Sequence, residues 1–185
     1  MGRPSNRLER RAEILSAFAR TLAESGYAGA TMAAVAERAG YAPGLIHHHF
    51  ANKEELLSAL LENLVAGFRG RVRGYEAEAG RLYAYADGAL KLDERADVTS
   101  ARCWVGVLSE AVRNPSLFAR VRRILDAEIG SIQERSEGRL DESQAGAVLA
   151  FVIGALVLGA FAPRKTAGFA APSLRILIEA LLAGR

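Results

Sequence analysis

No stretch of this chain alternates apolar and polar residues at period two. Apolar residues recur instead every three or four positions, nearly from end to end, which is the repeat of a helix with one face turned inward. The expected fold is therefore all-α, with about nine helices. Leu8, Ala12, Leu15, Phe18, Ala19 and Leu22 mark the stripe of a first helix, and Gly26 should stop it. Thr31 is a good N-cap for a short second helix over 32–39, broken by Gly40. Pro43 suits the first turn of a third helix ending near Phe50. Asn52 caps a fourth, with Glu54 and Glu55 in its positively polarised first turn and Leu56, Leu57, Leu60, Leu61, Leu64 and Phe68 along its apolar side. Further helices are expected near 79–92, 98–113, 116–138, 141–162 and 172–183. The prolines at 115, 163 and 172 fall where the periodicity breaks and read as boundaries.

The 185 residues, half of them hydrophobic, are enough to bury a sizeable core and to exclude disorder over most of the length. One cysteine, Cys103, excludes an intrachain disulfide framework and points to a reducing cytoplasm. The polar, basic start MGRPSNRLERR has no apolar stretch behind it, so it does not read as a secretory signal. Residues 145–162 form an uncharged run of 18, at the lower edge of what crosses a bilayer. Much of it is Ala and Gly, which favours a buried helix and no membrane; a single-pass, membrane-anchored helical adaptor using 145–162 is the alternative. Charge is unevenly placed. Residues 1–73 hold 10 basic and 7 acidic side chains, whereas the remainder holds 14 of each. A basic head on a neutral body suits a polyanion.

Within that head, Ala36, Gly40 and Ile46 fall at the spacing of a helix-turn-helix. A small residue in one helix lets the next pack close, a glycine allows the reversal, and a branched apolar residue locks the second helix down. The outer side of that second helix is then free to enter a major groove. The stretch T-M-A-A-V-A-E-R-A-G-Y-A-P-G-L-I-H-H-H-F-A-N-K-E-E-L, Thr31 to Leu56, resembles the DNA-binding region of TetR-type transcriptional regulators: A-x-x-A-G, then G-x-x-x-x-H-F, then x-x-K-E-x-L. The resemblance covers roughly residues 8–60; beyond it only length, helicity and order agree. The W-x-x-x-L-x-E-A-x-x-N-P-x-L stretch, Trp104 to Leu117, is similar to regulatory domains of the choline- and betaine-responsive branch.

The resemblance implies an N-terminal helix-turn-helix DNA-binding domain over 1–52 and a C-terminal effector-binding and dimerisation domain over 53–185, with helix 53–75 as shared connector. It implies a cytoplasmic, ligand-responsive regulator, acting as a repressor. As a homodimer it would bind a palindromic operator on double-stranded DNA, and a small-molecule effector would release it. It also implies roles. Thr31 would cap its helix and touch phosphate, and Tyr41 would lie at the turn on the DNA side. Pro43, Gly44 and Leu45 would open the recognition helix; His47 and His48 would face the groove or its phosphates. His49 stands where the family keeps a phosphate-contacting histidine, Phe50 would plug the head, Lys53 would pair with phosphate, and Arg3 would reach an adjacent minor groove. The chain departs from the family at His47 for tyrosine, Ala42 for serine and Leu45 for serine or threonine, so two phosphate-binding hydroxyls are lost.

Neighbours on a helix point about 100° apart, so His47, His48 and His49 cannot converge on a metal, and no metal or cofactor is expected. Histidine does titrate near neutrality, which leaves a pH-sensitive contact physically open. No nucleophile elbow, zincin, P-loop or dinucleotide fingerprint occurs, so an enzyme is not expected. The helix over 141–162 has small residues in rows, Ala147 and Ala155 along one and Ala150 and Gly154 along another, which lets helices approach closely. With Leu158 and with Leu174, Leu177, Ile178 and Leu181 of the last helix, they are the expected dimer interface across a two-fold axis; the resemblance implies the same two helices. The expected effector pocket draws on Tyr75, Tyr83, Tyr85, Cys103, Trp104, Phe118 and Phe151.

Overall fold

The computed structural model describes residues 4–91 and 98–184, with side chains from Arg7 onward and again from Thr99. Among these residues there are nine helices and no strand: α1 (Pro4–Gly29), α2 (Met32–Ala39), α3 (Pro43–His49), α4 (Lys53–Ala79), α5 (Arg81–Leu90), α6 (Val98–Ala111), α7 (Pro115–Arg135), α8 (Glu142–Phe161) and α9 (Pro163–Ala183). The local start signals act as their chemistry dictates. Thr31 accepts a hydrogen bond from the Ala34 amide, Asn52 from Glu55, and Asn114 from Leu117. Asp141 and Gln144 form a reciprocal capping box at the start of α8. Gly40 ends α2 at φ 70°, a left-handed conformation suited to glycine, and the next amide, Tyr41 N, returns to Ala36 O at 3.0 Å.

Two expectations need correcting. Gly26 interrupts α1 at φ 68°, but helical turns resume beyond it and run to Gly29. The last helix starts at Pro163, nine residues before the expected Pro172, which lies inside it. Proline breaks a helix by removing one amide donor and crowding the carbonyl four residues back. Here that residue is the exposed Gly168, and Pro172 is itself exposed, so the freed carbonyl lies where water can serve it. Thr166, Ala170 and Ala171 are buried against the bundle, and that packing holds the first half of α9 helical.

Two apolar clusters make the interior. One joins Ile14, Phe18 and Leu22 of α1 to Val35, Ile46, Phe50 and Leu56–Leu61, and it continues without a break into Cys103, Val107 and Ala111 of α6 and Leu117 and Val121 of α7. The other is built from Val72 and Tyr75 of α4, most of α5, and the inner faces of α8 and α9. Helices α4 and α5 approach so closely that a Cβ on Gly88 would stand 2.6 Å from Val72 Cα. A bidentate ion pair ties α5 to α9, with Arg175 Nε 3.1 Å from Asp87 Oδ1 and Nη2 2.6 Å from Oδ2.

By length and composition both α8 and α9 are apolar enough to cross a membrane, with mean hydropathies of 2.1 and 1.4. The fold gives that apolarity two other uses. Ala145, Val148, Leu149, Val152 and Ala155 of α8 are buried in the second cluster. The opposite side of α8 exposes Ala147, Ala150, Gly154, Leu158 and Phe161, and α9 adds Phe169 and Ile176 to the exposed apolar surface. The expected interface is redrawn by this. Ala155, Leu174 and Ile178 are 4, 0 and 0% exposed and belong to the protomer's own core, because α5, α8 and α9 pack together there. Leu177 and Leu181 are half-buried. Phe161, 81% exposed, is the most exposed large apolar group of this surface and did not figure in the sequence reading.

Candidate nucleic-acid interface

The head is a three-helix unit whose inner surface is Ile14, Phe18, Val35, Ala36, Ile46 and Phe50, all 0–1% exposed. Ile46 within α3 and Phe50, the residue that caps its end, fix one side of that helix inward. The other side is thereby turned out: Pro43, Gly44, His47 and His48 are exposed, and Leu45 is half-buried. A Cβ on Gly44 would meet nothing within 4 Å, so the start of α3 is open to an incoming surface. Thr31 is also exposed, its Oγ1 taken up in the cap to Ala34 at 3.1 Å.

Three of the expected contacts are engaged within the protein. Lys53 Nζ donates to Tyr27 O at 2.7 Å and lies 3.9 Å from the centroid of the Tyr27 ring, so one of its three donors is spent on α1. The Tyr41 hydroxyl donates to Glu13 on α1, a bond that raises its pKa above the usual tyrosine value. His49 is 7% exposed, and its Nδ1 has no partner among the described residues. Burial lowers the His49 pKa, with the neighbouring His48 and then Arg7, Arg10 and Arg11 acting in the same direction. The three histidines therefore diverge, two outward and one inward, as helix geometry requires. Arg3 lies outside the described residues.

Arg11 is a residue whose role the sequence reading missed. Its guanidinium donates to the His49 carbonyl, pairs with Glu55 at 3.2 Å and lies 3.9 Å from the Phe50 ring centroid. Glu55 in turn accepts from the Ala51 amide at 2.8 Å. One arginine of the basic N-terminal segment thus holds α1, the end of α3 and the start of α4 in one arrangement. The only advance signal was its place in a run of arginines, which says charge and not partner.

The body of the protein holds an apolar cavity of about 60 Å³, lined by Phe68, Tyr85, Trp104, Leu108, Glu128, Leu149 and Val152 among others. That is room for a few water molecules, and the walls are apolar apart from Glu128 and the Tyr85 hydroxyl. Tyr85 and Phe68 meet edge to face at 5.4 Å. The Tyr85 hydroxyl is buried without a hydrogen-bond partner among the described residues; burial, and next the Glu128 carboxylate, push its pKa well above the usual range. Glu128 is itself buried and is held by Arg69, whose Nη2 and Nε lie 3.0 and 3.2 Å from the same Oε1.

Of the seven residues expected to line a pocket, only Tyr85 and Trp104 face this cavity. Tyr75 is consumed in the second core cluster, where Phe151 and Tyr83 pack at its margin. Cys103 is buried on the opposite side of α6 and donates to Ala19 O at 3.3 Å. Phe118 points outward, 54% exposed. Phe68, Leu108 and Glu128 take their places.

The family model for bacterial regulatory proteins of the tetR family matches residues 14–60, the span of the head and the first two turns of α4. A relative from Chromohalobacter salexigens, the HTH-type transcriptional regulator BetI 1, is 30% identical over 165 residues, 84% of this chain and 81% of its own length. The chain belongs to the tetR family. Membership makes it a DNA-binding transcriptional regulator and not an enzyme. The HTH-type transcriptional regulator BetI of Stenotrophomonas maltophilia is 32% identical over 127 residues, so the shared region spans 64% of that protein. Among solved structures, a transcriptional regulator from Rhodococcus sp. Rha1 superposes with a TM-score of 0.80 at 28% identity, covering 94% of this chain and 96% of the other. A regulator from Saccharomonospora viridis, crystallised in complex with choline, shares the fold at 22% identity and a TM-score of 0.71, over 92% and 96% of the two chains.

Proposed function

We propose that this tetR-family member is a homodimeric, cytoplasmic repressor that binds a palindromic operator and is released by a small-molecule effector. The observation that carries this reading is the pair of outward faces: the unpartnered side of α3 at one end, and the exposed apolar row Ala147, Ala150, Gly154, Leu158, Phe161 on α8 at the other. Pairing α8 and α9 with their two-fold mates would bury that row and hold two copies of α3 at a fixed separation, as an operator with two half-sites requires. Pro43, Gly44 and Leu45 would approach base edges and thymine methyls, and His47 and His48 would approach bases or phosphates. Thr31 and Lys53 would flank them on the backbone, Lys53 with the donors it does not spend on Tyr27.

The effector would occupy the cavity beside Trp104. Helix α6 supports a route from there to the head, because its two sides face different things. Trp104 and Leu108 line the cavity. Cys103 and Val107 lie in the head's own cluster, and a Cβ on Gly106 would come within 3.3 Å of Leu22 on α1. A ligand that displaces α6 would displace α1, and with it the spacing of the two α3 helices. That is a shift between a population matched to two major grooves and one that is not. Purified protein should enrich genomic fragments that share an inverted repeat whose halves lie about one helical turn apart or a multiple of it. Enrichment without two-fold symmetry, or none over random DNA, would overturn the proposal.

A further inference from the structure

The cavity beside Trp104 does not stand alone. Immediately outside it, between α4 and α7, runs an open groove of about 620 Å³ that carries four arginines: Arg69, Arg73, Arg120 and Arg123. Val65 and Ile124 line both spaces, and the Arg69–Glu128 ion pair spans the boundary, with Glu128 on the cavity side and Arg69 on the groove side. The apolar cavity and the basic groove adjoin along Val65 and Ile124.

The charges in the groove are unevenly satisfied. Arg69 is matched by Glu128, and Arg120 Nη2 pairs with Glu62 at 2.8 Å. Arg73 and Arg123 are exposed and make no ion pair among the described residues; Arg123 only reaches back to Ala119 O at 3.4 Å. Two uncompensated guanidiniums thus face a groove whose inner wall is apolar. Guanidinium presents paired N–H donors that match a carboxylate or phosphate. The buried Glu128 would be the natural counter-charge for a cation, but Arg69 already occupies it, and removing that partner would leave a carboxylate buried and unpaired.

Resting on the effector site proposed above, we infer that the effector is an amphipathic organic anion. Its apolar body enters the cavity against Trp104 and its acidic group stays in the groove on Arg73 and Arg123. The buried Tyr85 hydroxyl offers one hydrogen bond to a single polar atom on that body. A quaternary ammonium ion, whose charge the unmatched Arg73 and Arg123 oppose, is the wrong class.

The test uses three probes with the same eight-carbon chain and different charge: octanoate, 1-octanol and octyltrimethylammonium. Trp104 is the chain's single tryptophan, so its emission in the full-length protein reports the cavity without a label. Octanoate should bind at least tenfold more tightly than octanol, and added salt should weaken octanoate alone. The R73A/R123A variant changes two exposed side chains; it should lose that tenfold advantage and keep its affinity for octanol. Equal affinity for the three probes, preference for the ammonium ion, or an R73A/R123A variant that still prefers octanoate would overturn the anion assignment while leaving the cavity as the effector site. If none of the three moves the Trp104 emission and none releases DNA, the cavity itself is the wrong site and both readings fall together.

Discussion

Replacing Gly154 with arginine should drive the protomer and the dimer in opposite directions. Gly154 lies mid-way along α8, exposed, and a Cβ built on it meets no atom within 4 Å. Within one protomer the new side chain has open space. A glycine inside a helix is about 1 kcal/mol less favourable than alanine, and arginine is close to alanine, so the helix gains about 0.8 kcal/mol. For a chain of this size that raises Tm by roughly 2–3 °C. The two-fold interface reverses the sign. Extra atoms forced into a packed contact cost about 1–3 kcal/mol per site. Symmetry brings in two copies, for roughly 2–6 kcal/mol, or about 30-fold to 10⁴-fold in the dimer dissociation constant. Sedimentation velocity over a dilution series reads that constant, and thermal unfolding below it reads the protomer. Operator affinity should fall in step with dimerisation. A G154R protein that dimerises as tightly as the parent would refute the assignment of this face, and a Tm lowered in the monomer would refute the claim that the site is open.

Three further outcomes are expected. Gly88→Ala should lower Tm by about 2–8 °C, because its Cβ would press on Val72 backbone at 2.6–2.7 Å and the resulting 2–3 kcal/mol outweighs the gain of about 1 in helix propensity; an unchanged or higher Tm would mean α4 and α5 are not in such close contact. Lys53→Ala should cost about 1–2 kcal/mol of stability through its lost contacts with the Tyr27 carbonyl and ring, and should also flatten the salt dependence of operator binding by about one charge. A lower Tm with an unaltered salt slope would leave Lys53 as a tie between helices and nothing more. Folding stability should depend on His49: its folded pKa is depressed below 6.5, so the stabilisation is present above pH 6.5 and is lost as pH falls through the lower, folded value. Denaturant unfolding from pH 7.5 downward should show this decline, and His49→Gln should flatten it.

The head could be read from sequence because what shapes it is local. Thr31 and Asn52 cap the helix that follows each of them, Gly40 makes its turn by its own φ, and Ile46 lies on a short helix with Phe50 at its end, four positions on. The cavity could not, because its walls come from residues 65–68, 85, 104–108, 121–128 and 149–156, on five helices whose contacts no spacing rule supplies. Periodicity says that Phe118 and Tyr75 each lie on a helix with an apolar side; only packing decides that one faces water and the other the core. The same limit applies to α8 and α9. Both rows of α8 were visible as small-residue patterns, yet which of them turns inward depends on where α5 lies. Pro172 misled because a strong local rule met a stronger tertiary one.

Helix α6 also bears on how such a chain can be taken apart. Since Cys103, Val107 and Ala111 complete the apolar wall around Phe18 and Leu22, the reading head is finished by residues some fifty positions downstream of its last short helix. A fragment cut after α4 would leave a greasy flank bare. Grafting the head onto a foreign sensor would therefore require carrying the inner surface of α6 with it, and the seam of a working chimera would run lengthwise through that helix instead of across the chain at a linker.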